Sequence, residues 1–264
     1  MWPPCSAVLC LEQSLDTLVA QGLPPEQKET LDELQISAEA SDDPAEVLMK
    51  AVPAVEVALD WDNAVQLTAT STFWGTNAGD ARDYQRSKHV PLANRFVTHS
   101  WSPPNNWEEI MGKDCDYGDV KATELKVVAE DIATQLGCQW GDVSFWIDKC
   151  CIPQRHALMP TCVSLIEDFI QRCDGMVVLL SWQYFERLWC VYEWAAFLVY
   201  HDAKKVQICV DAFMRPASKQ LYLDSIEIFS VGNAKCYHEP DRQVLKDKVA
   251  EYYVSEEAFE LFAR

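Results

Sequence analysis

From Asn94 onward the apolar positions alternate between two rhythms. Short continuous apolar runs predict buried strands, and runs with apolar residues every three to four positions predict helices. Residues 95–99 are the first strand. After a loop holding Pro103, Pro104, Asn105 and Asn106, the spacing of Leu125, Val128, Ile132 and Leu136 marks a helix that Gly137 stops. Residues 143–147 are a second strand ending at Asp148, and residues 149–160 a loop with prolines at 153 and 160. Val163, Leu165, Ile166, Phe169 and Ile170 predict a helix. Residues 176–180 are a third strand, unbroken in apolar character as parallel strands are. Residues 188–200 read as a helix and 206–210 as a fourth strand. Residues 226–229 fit either type, residues 234–237 a fifth strand, and residues 243–253 a closing helix.

Residues 1–90 lack this alternation. Leu11, Leu15 and Leu18 share one helical face, and Ser41-Asp42-Asp43-Pro44 reads as a turn that starts a helix. Residues 60–90 are mostly polar, with scattered aromatics at Trp61, Phe73, Trp74 and Tyr84. This stretch reads as an acidic, partly ordered N-terminal extension; a partner-docking segment is the other reading. Two units are therefore expected: the extension, 1–90, and an α/β domain, 91–264. Strands alternating with helices imply a doubly wound, mainly parallel sheet. In a five-stranded, flavodoxin-like order the ligand crevice opens at the carboxyl ends of the first and third strands. The loops there begin at Ser100-Trp101 and Ser181-Trp182.

Charge narrows the partners. The chain has 264 residues and a formal net charge of −19, a surface that repels phosphate backbones and anionic lipid heads, so neither nucleic acid nor membrane is expected as a partner. No apolar run approaches the ~18 residues of a membrane span, and the N-terminus lacks the basic start of a signal peptide. The eleven cysteines include no C-x-x-C pair and lie mostly in apolar runs, which reads as reduced, buried thiols in a cytoplasmic protein. The Cys150-Cys151 pair with His156 does not complete a zinc set, so no metal is expected.

Glu193 is the one charged side chain between Leu188 and Tyr200. An isolated carboxylate in apolar surroundings is costly, so it must be paired, protonated or facing a polar pocket. Trp189 lies four residues earlier on the same helical face, an arrangement that suits a ligand made of a base and a ribose. The plainer reading is a buried glutamate tied to backbone or to an arginine such as Arg187 or Arg172.

The segment from Ser181 through Tyr184, Trp189 and Cys190 to Glu193 resembles the S-x-x-Y…W-C-x-x-E stretch of TIR domains. Phe96-Val97-Thr98-His99-Ser100 resembles their first box, and Phe145-Trp146-Ile147-Asp148 their second strand, whose end opens the BB loop. Residues 165–173 fit the helix before the third strand. The stretch from Trp146 to Gln154 is also similar to the W-I-D-x-x-C-I-x-Q signature of fungal heterokaryon-incompatibility domains. Two features depart from the TIR pattern: Ser100 stands where an arginine is frequent, and the loop after Asp148 lacks the usual glycine. The resemblance implies either an enzyme that cleaves the nicotinamide–ribose bond of NAD+ or a non-catalytic module that self-associates. A different nucleoside N-glycosidase is a third possibility. In the enzymatic reading Glu193 is catalytic, NAD+ is the substrate rather than a bound cofactor, and His99, Ser100, Trp101, Asp148, Lys149, Ser181 and Trp189 line the site. Lys149 would meet a phosphate.

Overall fold

The computed structural model describes residues 25–59, 73–75, 79, 81–154, 156–236 and 239–264. The helix expected around Leu11–Leu18, together with Trp61 and Tyr237, lies outside them. The chain runs through α1 (Pro25–Glu39), α2 (Pro44–Leu48), β1 (Lys50–Pro53), α3 (Ala54–Val57), α4 (Ala81–Arg86), β2 (Lys88–His89) and β3 (Ala93–His99). It continues through α5 (Trp107–Met111), α6 (Tyr117–Leu136), β4 (Ser144–Trp146), α7 (Asp148–Cys151), α8 (Met159–Ser164), α9 (Ile166–Gln171) and β5 (Cys173–Leu179). Then come α10 (Leu188–Tyr200), β6 (Val206–Cys209), α11 (Lys219–Glu227), α12 (Glu239–Tyr253) and α13 (Glu256–Ala263).

The fold is α/β, built on one six-stranded mixed sheet in the order β2-β1-β4-β3-β5-β6. β4, β3, β5 and β6 are parallel; β1 runs antiparallel to β4, and β2 antiparallel to β1. The longest pairing joins β3 to β5, from Ala93 opposite Cys173 to His99 opposite Leu179.

The five-strand expectation is corrected in two places. Residues 234–236 form no named strand: Lys235 makes a lone parallel bridge with Arg187, and at β6 the described sheet ends. At the other edge, β1 and β2 come from the stretch before residue 90, so the sheet runs across the boundary expected there. β1 is short and ends in proline, which hides it from any periodicity argument. It is held by pairing Val52 with Phe145 and Pro53 with Ser144. β2 is exposed and carries Lys88, a charge that suits an outer edge.

Local chemistry explains the helix ends. Asp116 caps α6 by accepting the Asp119 amide, so this helix starts eight residues before the first apolar marker, Leu125. It stops at Gly137, whose φ of 68° and ψ of 33° suit a residue without a Cβ. The helix expected over 163–170 is two short helices, α8 and α9, meeting at Leu165 (φ −98°, ψ 12°).

The core lies on both sides of β3. Phe96 stacks on Trp146 with ring centroids 4.6 Å apart, and Trp146 tilts against Phe169 at 5.6 Å. Each such fully buried ring contributes roughly 1.5–3 kcal/mol. Among the described residues no helix is long and apolar enough to cross a membrane.

Candidate functional site

Successive side chains of a strand point to opposite faces, and at the carboxyl end of β3 this separates Thr98 from His99. On the Thr98 face lies α10. Thr98 Oγ1 donates to Glu193 Oε2 at 2.6 Å and stands 2.9 Å from the Tyr184 hydroxyl, which reaches the Cys190 carbonyl at 3.1 Å. Cys190 Sγ donates to the His99 carbonyl at 3.3 Å. The first turns of α10 are thereby held against the end of the central strand.

Glu193 is buried, with 8% of its surface exposed. Among the described residues no cationic side chain forms an ion pair with it. Arg172, one of the arginines considered above, pairs instead with Asp43. Burial pushes the Glu193 carboxyl up, the Asp148 charge pushes it further, and Thr98 opposes both; it rises from the usual 4.5 to about 8.

The His99 face carries a second polar cluster. Asp148, at the start of α7, accepts the Trp101 indole N–H at 2.7 Å and the Lys149 amide at 2.7 Å, and its Oδ1 lies 3.7 Å from His99 Nε2. Burial alone would raise this carboxyl, but His99 and these two donors overrule it and hold it below the usual range. Lys121, buried on α6, donates to the Ser100 carbonyl at 3.2 Å and stands 3.4 Å from His99 Nδ1. Its ammonium sits between the rings of Tyr117 and Trp74, 4.3 and 4.8 Å from their centroids. Burial lowers Lys121 from 10.5 to about 7, despite the nearby Asp148 charge.

Of the residues expected from sequence, His99, Ser100, Trp101 and Asp148 meet in this cluster, and Glu193 lies across β3 from it. The Ser100 carbonyl gathers the Tyr117 hydroxyl, His99 Nδ1 and Lys121. Ser181 is buried past the end of β5, beside Tyr117. Two residues point elsewhere. The Lys149 ammonium bonds the Phe73 carbonyl and lies 3.6 Å from Asp83 Oδ2, so it is engaged by the segment before β2. Trp189 is half-buried and packs edge-on against Tyr192 at 5.8 Å.

Sequence reasoning missed Thr98, Lys121, Tyr184 and Trp74. Lys121 had a readable signal: it stands on the stripe Tyr117, Lys121, Leu125, Val128, Ile132, where a lysine on a buried helical face is anomalous. Trp74 had none, because only the fold brings residue 74 to His99, with ring centroids 5.4 Å apart.

Among the described residues no three His, Cys, Asp or Glu side chains are grouped to hold a metal ion. Comparison with protein-family models, with curated proteins and with solved structures found no match to this chain.

Proposed function

We propose that this chain is a TIR-like NAD+ glycohydrolase, with Glu193 as its catalytic carboxyl. The observation that carries the reading is a buried glutamate without a cationic partner among the described residues, bonded to Thr98 at the end of the central strand. The parallel strands β4-β3-β5-β6 keep the order expected for the first four strands of a flavodoxin-like sheet, and we read them as its TIR-like part. In that order a ligand is expected past the carboxyl ends of β3 and β5, the end of the sheet where Thr98 bonds Glu193 and His99 faces Asp148.

The chemistry follows from charge. The nicotinamide ring of NAD+ is a cation joined to ribose. Bound beside Glu193 it supplies the missing counter-charge and draws the carboxyl into its ionised form. When the C–N bond breaks, nicotinamide leaves neutral and the positive charge moves onto the ribose. A fixed carboxylate in a site sheltered from water stabilises that charge without reorganising. His99, Ser100 and Trp101, beside Asp148, would line the opposite wall.

The test is nicotinamide release from NAD+ by the purified full chain, beside Glu193→Gln. Loss of about 10²–10³-fold in the variant supports the reading; no release by the wild type at any protein concentration overturns it. One feature favours the second reading, a self-associating module. Among the described residues β6 has no outer neighbour, and Ile208 on it is 49% exposed. A concentration-dependent mass without NAD+ turnover would support that module.

A further inference from the structure

His99 Nε2 is a buried polar atom without a hydrogen-bond partner among the described residues, on a residue 7% exposed. Buried polar atoms are normally satisfied, and an orphan at a candidate site calls for an explanation in that site's chemistry. We infer that His99 is the general base that takes a proton from the water attacking the ribosyl cation. The inference rests on NAD+ cleavage at Glu193.

The surroundings of the ring support that role. Nδ1 lies 3.1 Å from the Ser100 carbonyl, which accepts, and 3.4 Å from the Lys121 ammonium, which donates; the shorter contact places the hydrogen on Nδ1 and the lone pair on Nε2. Asp148 Oδ1, 3.7 Å from Nε2, has no proton to share, but an N–H⁺ formed there gains a carboxylate at once. That carboxylate is fixed by the Trp101 indole and the Lys149 amide. From α6, Lys121 faces the other side of the ring, and the Trp74 ring covers it edge-on. Burial and the Lys121 charge both keep the imidazole neutral before the step, against Asp148. Glu193 is on the opposite face of β3, so the two groups divide the work: the carboxylate for the cation, the imidazole for the water.

The step balances. The C1′–N bond breaks with its electron pair going to the nicotinamide nitrogen. A water oxygen then bonds C1′, its O–H breaks, and the proton goes to His99 Nε2 and later to solvent. The sum is NAD+ plus water giving ADP-ribose, nicotinamide and a proton.

A competing acceptor isolates the role. 3-Acetylpyridine attacks the same ribosyl cation with a lone pair and has no proton to lose, so exchange needs no base while hydrolysis does. In His99→Gln, hydrolysis should fall about 100-fold while exchange stays within a few-fold. In the wild type, the ratio of hydrolysis to exchange should fall on acidification, at a pH below the ordinary histidine range because burial and Lys121 hold His99 down. Glu193 acts before the shared intermediate, so its titration moves both products equally. A residue that only shapes the site would lower both together. A ratio unmoved in the pH series overturns the inference even if the variant does not fold, and leaves NAD+ cleavage standing. No nicotinamide release by the wild type removes both.

Discussion

Thr98 holds its hydroxyl 2.6 Å from Glu193 Oε2, and this bond opposes the other influences on that carboxyl. Burial and Asp148 favour the protonated form, and the donor from the end of β3 favours the ionised one. The pair sets how much carboxylate exists at neutral pH.

Removing the donor should therefore move the balance. Thr98→Val is isosteric and leaves Glu193 without its bond. Its NAD+ cleavage at pH 7 should drop about tenfold, the value of one hydrogen bond to a charged group, and should recover part of the loss at pH 9. Thr98→Ser should stay near wild type. The check is kcat/KM across pH for the three proteins; a Thr98→Val profile that overlays the wild type rejects the assignment.

In the wild type, kcat/KM should climb with pH, pass half its maximum near 8 and level off about one unit above that, because the free protein must reach the carboxylate form. Lys121 titrates near 7 in the same region, so the climb should be compared in Lys121→Met. A profile that falls from pH 6 to 8 would remove Glu193 as the ionised group.

The same carboxyl links stability to pH. Its folded-state value is raised from 4.5 to about 8, so the folded chain keeps a proton that the unfolded chain releases. Its stabilising effect is full below about 4.5 and is lost as pH rises through 8. Lys121, lowered from 10.5 to about 7, acts the other way, and stability rises with pH between those values. Glu193→Gln removes only the first effect. Between pH 5 and 8 the wild type should lose stability relative to this variant, by at most roughly 5 kcal/mol. Urea unfolding at three pH values measures it; a constant difference rejects the shift.

Lys149 should behave as a structural residue. Its ammonium is buried against the Phe73 carbonyl and Asp83. Lys149→Met takes away the buried cation beside Asp83, with Arg86 still 3.7 Å from that carboxylate, and should cost about 3 kcal/mol, with part recovered on adding Asp83→Asn. The KM for NAD+ should change little. A large KM rise without a stability loss would restore the phosphate role expected from sequence.

Gly118 reports on the segment around Trp74. A Cβ at Gly118 would overlap Trp74 Cβ, closer than real Cβ contacts come. Gly118→Ala should destabilise by about 1–3 kcal/mol, as overpacking does. It should also loosen the Trp74 ring over His99 and Lys121, seen as a changed tryptophan emission in the folded state.

The local rhythm of the chain was enough to locate the parallel strands, the stop of α6 at Gly137 and the single carboxyl on α10, because buried strands and amphipathic helices write their periods directly into apolar spacing. That the stretch expected as a fifth strand makes only a lone bridge at Lys235, the split at Leu165 and the two N-terminal strands were beyond it. Pairing over long separations decides those, and a four-residue strand such as β1 carries no period of its own. Composition likewise made Glu193 conspicuous but left its surroundings open: backbone, an arginine or a polar pocket. Tertiary structure alone decided for Thr98, since the end of β3 and the second turn of α10 meet only after the sheet forms. It also turned Lys149 inward toward Phe73 and Asp83, set Lys121 beside His99, and left His99 Nε2 without a partner among the described residues.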